Sequence, residues 1–341
     1  MGAGIGPRAP EAGSPNMSRR RHLITAMSLL MLGMAGLTGC TSWLGTPANA
    51  DPVPGGGSTG SPRGSGNPLL SDEEAAAIPV DSDIVYREVD GEQLTLDVCS
   101  PPDGDGADGD GPYAAVLLIH GGGFATGDKD GRPWQAICRW LANSGYVAVN
   151  LNYRLAPEHP FPAAIEDVQA AVEWTREHAQ DYAIDPDRVG VLGGSAGANL
   201  AQLLGASGAG SATMGARVSA VVSLSGPSDL TRGALDLGTP DDRQISAVLD
   251  YLGCSDIDEC PQAADASPIT HVDATDPPFM LLHSRNERMP IEQAQAMADA
   301  LSAVGNSPDL LIRPGHAHAV RLLAGHRVQT AVLDFLDRTL G

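Results

Sequence analysis

Two short stretches of this sequence hold residues able to do chemistry together. In "RVGVLGGSAGANLAQLL", residues 188–204, β-branched and apolar residues give way to glycines around Ser195 and then to Ala, Leu and Gln. The segment "GGSAG" has the G-x-S-x-G spacing of a nucleophile elbow, a tight strand-to-helix turn that exposes a serine hydroxyl at the end of a sheet. Such a corner strains the serine backbone, and Gly193 and Gly197 remove the β-carbons that would collide with the neighbouring strand and helix. A serine hydroxyl is a poor nucleophile at neutral pH unless a base reaches it. "RPGHAHAV" offers two imidazoles, of which His318 is expected to be the base and His316 a loop residue.

A third group must orient the imidazole and hold its tautomer. Elbow-type serine hydrolases keep the chain order nucleophile, acid, histidine, so the acid is sought between Ser195 and His318. The loop "SRNERMP", after the apolar run "PFMLLH", contains one carboxylate, Glu287. Asp229 in "SGPSDL" is the fallback, whereas Asp276 precedes its strand and belongs at the wrong end of a sheet. His283 and His326 are expected to pack or to face solvent. The segment "HGGGF", residues 120–124, follows the run "AVLLI" directly. Glycines let the main chain approach a reacting carbonyl with its N–H groups turned inward, as stabilisation of an acyl-transfer oxyanion requires. The N–H groups of Gly121, Gly122 and Ala196 are the candidate donors, with His120 holding the loop.

These groups need a scaffold that brings distant segments to one edge. "IVYREV" and "QLTLDV" read as an antiparallel hairpin turning at Asp90-Gly91. "YAAVLLIH", "YVAVNL", "RVGVLG", "VSAVVSLS", "PFMLLHS" and "DLLIRP" are continuous apolar runs suited to strands buried on both faces. Helical patterns lie between them at residues 132–143, 163–178, 196–204 and 291–304. Strands alternating with helices predict an α/β fold with a largely parallel sheet. Residues 231–266 are long for a connection and are expected to form a small helical lid or one wall of a cleft. The acidic loop at residues 101–112 fails the spacing of a calcium loop, since Ala107 falls where a third ligand is needed.

The chain has 341 residues, 42% of them hydrophobic, enough for one main domain with extras. Its 21 basic against 42 acidic residues, a formal charge of -21, argue against nucleic-acid binding. Before the folded part, "MSRRRHLITAMSLLMLGMAGLTGC" combines Arg19, Arg20 and Arg21 with an apolar run at residues 23–37. That run is shorter than the roughly 20 residues of a membrane span, so it reads as an export signal. Met17 is a better start than Met1. "LTGC" resembles a bacterial lipobox, which implies a lipid on Cys40, and "SRRRHL" is similar to a twin-arginine signal. The Gly-, Ser- and Pro-rich segment that follows reads as a tether. The resulting organisation is a signal at residues 1–39, a linker at 40–78 and a catalytic domain at 79–341. Cys254 and Cys260 can close a small disulfide loop; Cys99 and Cys138 read as buried free thiols, and no spacing suggests a metal.

"HGGGFATGD", "LANSGYVAVNLNYRLAPEHPFPAAIEDVQAAVEW", "IDPDRVGVLGGSAGANLA", "ASPITHVDATDPPFMLLHS" and "GHAHAV" resemble the α/β-hydrolase carboxylesterases of the hormone-sensitive-lipase type and the related feruloyl and acetyl esterases. The resemblance implies an α/β-hydrolase fold with a small lid-like insertion. It implies a serine esterase acting without a cofactor on short-acyl, acetyl or feruloyl-type esters, with Ser195 and His318 matching directly. Three positions depart from the family pattern. Gly194 replaces an Asp usual in the lipase-like branch, and Cys99 replaces a common Tyr. The acid loop is one residue short, so Asn286 competes with Glu287 for the acid position. A lost acid would instead leave a non-catalytic binding module, and an exported peptidase is the other alternative on this fold.

Overall fold

The computed structural model describes residue 2 and residues 69–102, 111–208, 210–235, 240 and 242–341. The export signal, Cys40 and most of the tether therefore lie outside the described residues, as do residues 103–110 of the acidic loop. All elements below belong to the unit Pro62–Gly341.

In chain order these are α1 (Asp72–Ala77), β1 (Val80–Val89), β2 (Glu92–Cys99), β3 (Tyr113–Ile119), α2 (Arg132–Asn143), β4 (Val147–Leu151), α3 (Ala163–Glu177), β5 (Ile184–Gly194) and α4 (Ala196–Ala206). Strand β6 (Ala220–Leu224) precedes three helices, α5 (Arg232–Leu235), α6 (Asp242–Leu252) and α7 (Gln262–Asp265). Strand β7 (Phe279–Ser284), α8 (Ile291–Ala303), β8 (Asp309–Arg313) and α9 (His326–Leu340) complete the chain. The strands form one sheet in the order β1-β2-β4-β3-β5-β6-β7-β8. Only the first hairpin and the β2–β4 pair are antiparallel; β4 through β8 run parallel.

Both faces of this sheet are covered, which is why its central strands are apolar without alternation. Leu117 and Val191 pack with α3, α4 and α8 on one face, while Val116, Leu118 and Leu192 pack with α2 and α9 on the other. In α2 the stripe Trp134, Ile137, Cys138 and Leu141 has helical spacing and turns wholly inward. Strand β8 departs from expectation: among the described residues it is the edge of the sheet, and Leu310 is exposed.

Two further expectations are corrected. The linker does not extend to residue 78, because Ser71 caps α1 in a reciprocal capping box with Glu74. Leu70 and Ile78, on either side of α1, are buried in the core on the α2 face. Cys99 and Cys138 are not free thiols but form a disulfide, with Cα atoms 5.8 Å apart. The end of β2 lies beneath α2, so two residues 39 apart in sequence meet, and no local pattern announces the pairing. The second bridge, Cys254 to Cys260, closes the short loop after α6.

Candidate active site

Register in the sheet decides which loops meet. Ile119 pairs with Gly193 and Gly194 with Leu224, so the loop after β3 lies beside the corner after β5 at the C-terminal edge. Ser195 occupies that corner with φ 55° and ψ −118°, between the last residue of β5 and the first of α4. A β-carbon on Gly193 would sit 2.1 Å from the Gly197 carbonyl oxygen, and one on Gly197 would sit 2.2 Å from that of Ile119. The flanking glycines are therefore steric requirements of the corner, and the Ser195 N–H anchors it by donating to the Leu224 carbonyl at 2.9 Å.

The loop after β3 folds against the corner. His120 is buried, stacks on Tyr153 with ring centres 4.3 Å apart, and contacts the Gly121 carbonyl through Nδ1 at 3.1 Å. Burial holds its pKa below the usual imidazole value. Among the described residues, the N–H groups of Gly121 and Gly122 donate to no backbone carbonyl. The Ala196 N–H belongs to the first turn of α4, where no intrahelical acceptor exists. Beneath the loop, the Lys129 ammonium is 1% exposed and sits 2.8 Å from both Asp83 and Asp97. Burial opposes its charge, and the hydrogen bonds it donates to Asp83, Asp97 and Asp130 outweigh that and raise its pKa.

The other half of the site comes from the sheet edge. Ser284 pairs with Arg313 at the ends of β7 and β8, and the two loops continue the pairing. The Arg285 N–H donates to the Arg313 carbonyl at 2.7 Å and the Asn286 N–H to that of Gly315 at 3.1 Å. His316 Nδ1 donates to the Asn286 carbonyl, and His318 Nδ1 donates to Glu287 Oε2. The Glu287 side chain is fully buried; its Oε1 accepts from the Ser284 N–H at 2.8 Å and the Ser225 hydroxyl at 2.9 Å. With Nδ1–H committed to the carboxylate, a neutral His318 keeps its acceptor lone pair on Nε2. That atom is buried without a partner among the described residues.

Glu287, not Asn286 or Asp229, therefore carries the carboxylate beside His318. Asp229 Oδ1 instead accepts from the Thr231 N–H at 2.8 Å. Asp276 sits at the opposite end of β7, where burial pushes its carboxyl up to about 6. His326 begins α9 and is exposed. Ser225 was not foreseen: it bonds Glu287 and also accepts from the Ala319 N–H at 2.9 Å, with a left-handed φ of 59°. Its position directly after a central strand was the available signal. His283, read as a packing residue, is buried and brings Nδ1 to 3.3 Å from Glu287 Oε1; burial lowers its pKa.

Two lobes of a cleft meet at this serine. One, of about 580 Å³, is lined by Gly121, Trp134, His316, His318, Val320 and Arg321. The other, of about 480 Å³, is lined by Phe124, Ala196, Leu230, Ala247, Val248 and Met289. Gly122, Ser195 and Arg288 line both. Residues 231–266 thus provide a wall of the second lobe through α6, and Phe124 stacks on Tyr251 of that helix at 3.7 Å. No group of residues able to hold a metal ion occurs among the described residues.

Comparison with known proteins agrees with this architecture. The chain is 33% identical over 261 residues to the Mycobacterium tuberculosis protein named "Probable carboxylic ester hydrolase LipM", covering 72% of this chain and 58% of the relative. It is 32% identical over 230 residues to "Esterase LipC" of the same organism, covering 63% of this chain and 55% of that one. It thus spans a little over half the length of these relatives. In fold it is similar to esterase 2 of Thermogutta terrifontis phosphonylated by sarin, with a TM-score of 0.61 at 23% identity over 74% of this chain and 95% of that one. The family profile described as BD-FAE matches residues 96–301. With the profile covering the end of β2, strands β3 to β7 and the elbow, the chain belongs to the BD-FAE family and has an α/β-hydrolase fold.

Proposed function

We propose that this protein is a serine esterase that hydrolyses carboxylic esters of short acyl chains through an acyl-enzyme. The observation that carries the reading is the buried Glu287 carboxylate on Nδ1 of His318, in a cleft that His318 shares with the strained Ser195. Ser195 Oγ attacks the ester carbonyl while His318 Nε2 takes its proton. The Gly121, Gly122 and Ala196 N–H groups receive the oxyanion. Collapse expels the alcohol, which takes the proton back from His318; water then repeats the cycle on the acyl-enzyme. Glu287 stabilises the imidazolium formed in each half. The relatives named as ester hydrolases support the same reading. The alternative of a non-catalytic module depended on a missing acid, and a carboxylate is present at that position.

We read the N-terminal segment as an export signal with a lipid on Cys40, supported by its arginines, its apolar run and "LTGC". Cys40→Ala is expected to move the protein from the membrane fraction to the soluble one. For the catalytic reading, wild type should turn over p-nitrophenyl acetate and Ser195→Ala should lose at least about 10³-fold in kcat. A fluorophosphonate should label wild type at Ser195 and leave the variant unlabelled. Undiminished turnover by Ser195→Ala would end the proposal.

A further inference from the structure

We infer that the His318 lobe of the cleft selects esters whose alcohol portion carries an anionic group, a carboxylate or a phosphate, through Arg288 and Arg321. The inference rests on the serine-esterase reading above.

The chemistry fixes which lobe receives which half of the substrate. The departing alkoxide takes its proton from His318, so the alcohol must lie on the side of Ser195 that His318 lines. His318 lines the 580 Å³ lobe and not the 480 Å³ one. The acyl group is left the second lobe, whose Phe124, Leu230, Val248 and Met289 suit a hydrocarbon chain, although Arg243 and Asp229 also border it.

The alcohol lobe has the opposite charge to the chain. The protein carries 42 acidic and 21 basic residues, yet this lobe is lined by Arg288 and Arg321 and by one carboxylate only, Glu287. The Glu287 side chain is 0% exposed and committed to His318, Ser225 and Ser284, so it offers nothing to a ligand. Elsewhere Arg87, Arg154, Arg188, Arg232 and Arg338 answer carboxylates. Arg288 and Arg321 are exposed and, among the described residues, form no ion pair. Guanidinium groups without carboxylate partners at a cleft are open to a ligand, and their planar donor fork matches carboxylate or phosphate oxygens. Arg288 borders both lobes, which sets it beside the reacting bond.

The test compares kcat/KM, divided by each ester's own hydroxide-catalysed rate constant, for four aryl acetates that differ in the para group of the leaving phenol: carboxylate, carboxamide, phosphate and trimethylammonium. Wild type should prefer the carboxylate to the carboxamide by about tenfold at low salt, with the preference shrinking toward twofold in 0.5 M NaCl. The trimethylammonium ester should be the poorest of the four. Whichever of the carboxylate and phosphate esters is faster names the anion recognised. Arg288→Gln with Arg321→Gln should bring the carboxylate to carboxamide ratio close to one, and the paired Lys substitutions should retain most of the preference. A wild-type ratio of one, or a ratio that survives the double Gln variant, overturns the inference while turnover of the neutral ester leaves the esterase reading intact. Inertness toward all four esters would sink both.

Discussion

The two sides of the cleft are held by different physics. On the β3–β5 side the chain is fixed by sterics: Gly193, Gly197 and the Ile119 carbonyl approach so closely that a single methyl group has no room. The loop beneath is locked by the buried Lys129–Asp97 pair. On the β7–β8 side, at the edge of the sheet, Glu287 and His318 are positioned by hydrogen bonds between two loops. The nucleophile and the amide donors are therefore built into the backbone of the core. The acid and the base are held by a polar network that can be edited one bond at a time.

This contrast can be broken at several points. Gly193→Ala, which sets a methyl 2.1 Å from the Gly197 oxygen, should abolish the soluble folded enzyme, measured as expression yield and cooperative unfolding. Glu287→Gln should do the reverse: kcat falls about 10⁴-fold, while Tm stays within a few degrees because the amide oxygen can still accept. Asp229→Asn, assayed in parallel, should stay within about twofold of wild type, as expected of a residue whose carboxylate caps a turn. Lys129→Met strands the Asp97 carboxylate, which is 4% exposed. Breaking such a buried pair costs about 3–5 kcal/mol, read as a Tm drop of roughly 10 °C. Among the residues of the edge network the smaller effect is expected from Ser225→Ala, which removes one bond to Glu287 and one from Ala319. The loss of about 1 kcal/mol of orientation corresponds to roughly a fivefold fall in kcat. A Ser225→Ala enzyme as impaired as Glu287→Gln would show that the edge network acts as a single unit.

The same contrast explains what the sequence revealed. Where the constraint is a backbone too crowded for a β-carbon, the residue type is dictated, and "GGSAG" and "HGGGF" could be read directly. Central strands announced themselves because burial on both faces leaves only apolar residues. Where side-chain bonding across elements sets the geometry, the signal was weak. Glu287 competed with Asn286 and Asp229, Ser225 was marked only by its position after a central strand, and the Cys99–Cys138 pairing depended on β2 lying beneath α2. Edge strand β8 was misjudged for a related reason: apolar composition does not report whether a neighbour exists on the far side. The start of the folded part was set too late because a capped six-residue helix, α1, lies within a polar stretch.

Gly194, the residue before Ser195, has a consequence for how this cleft can diversify. A β-carbon there would come within 3.1 Å of the Trp134 indole and 3.4 Å of the Ala319 methyl. The indole is buried in α2 and also borders the larger lobe, so it has little freedom to retreat. The two positions are coupled: a side chain at 194 asks the indole to give by a few tenths of an ångström, and a smaller residue at 134 would remove that demand. Exchanging both would re-contour the floor of the cleft, so a route to new substrates runs through this pair.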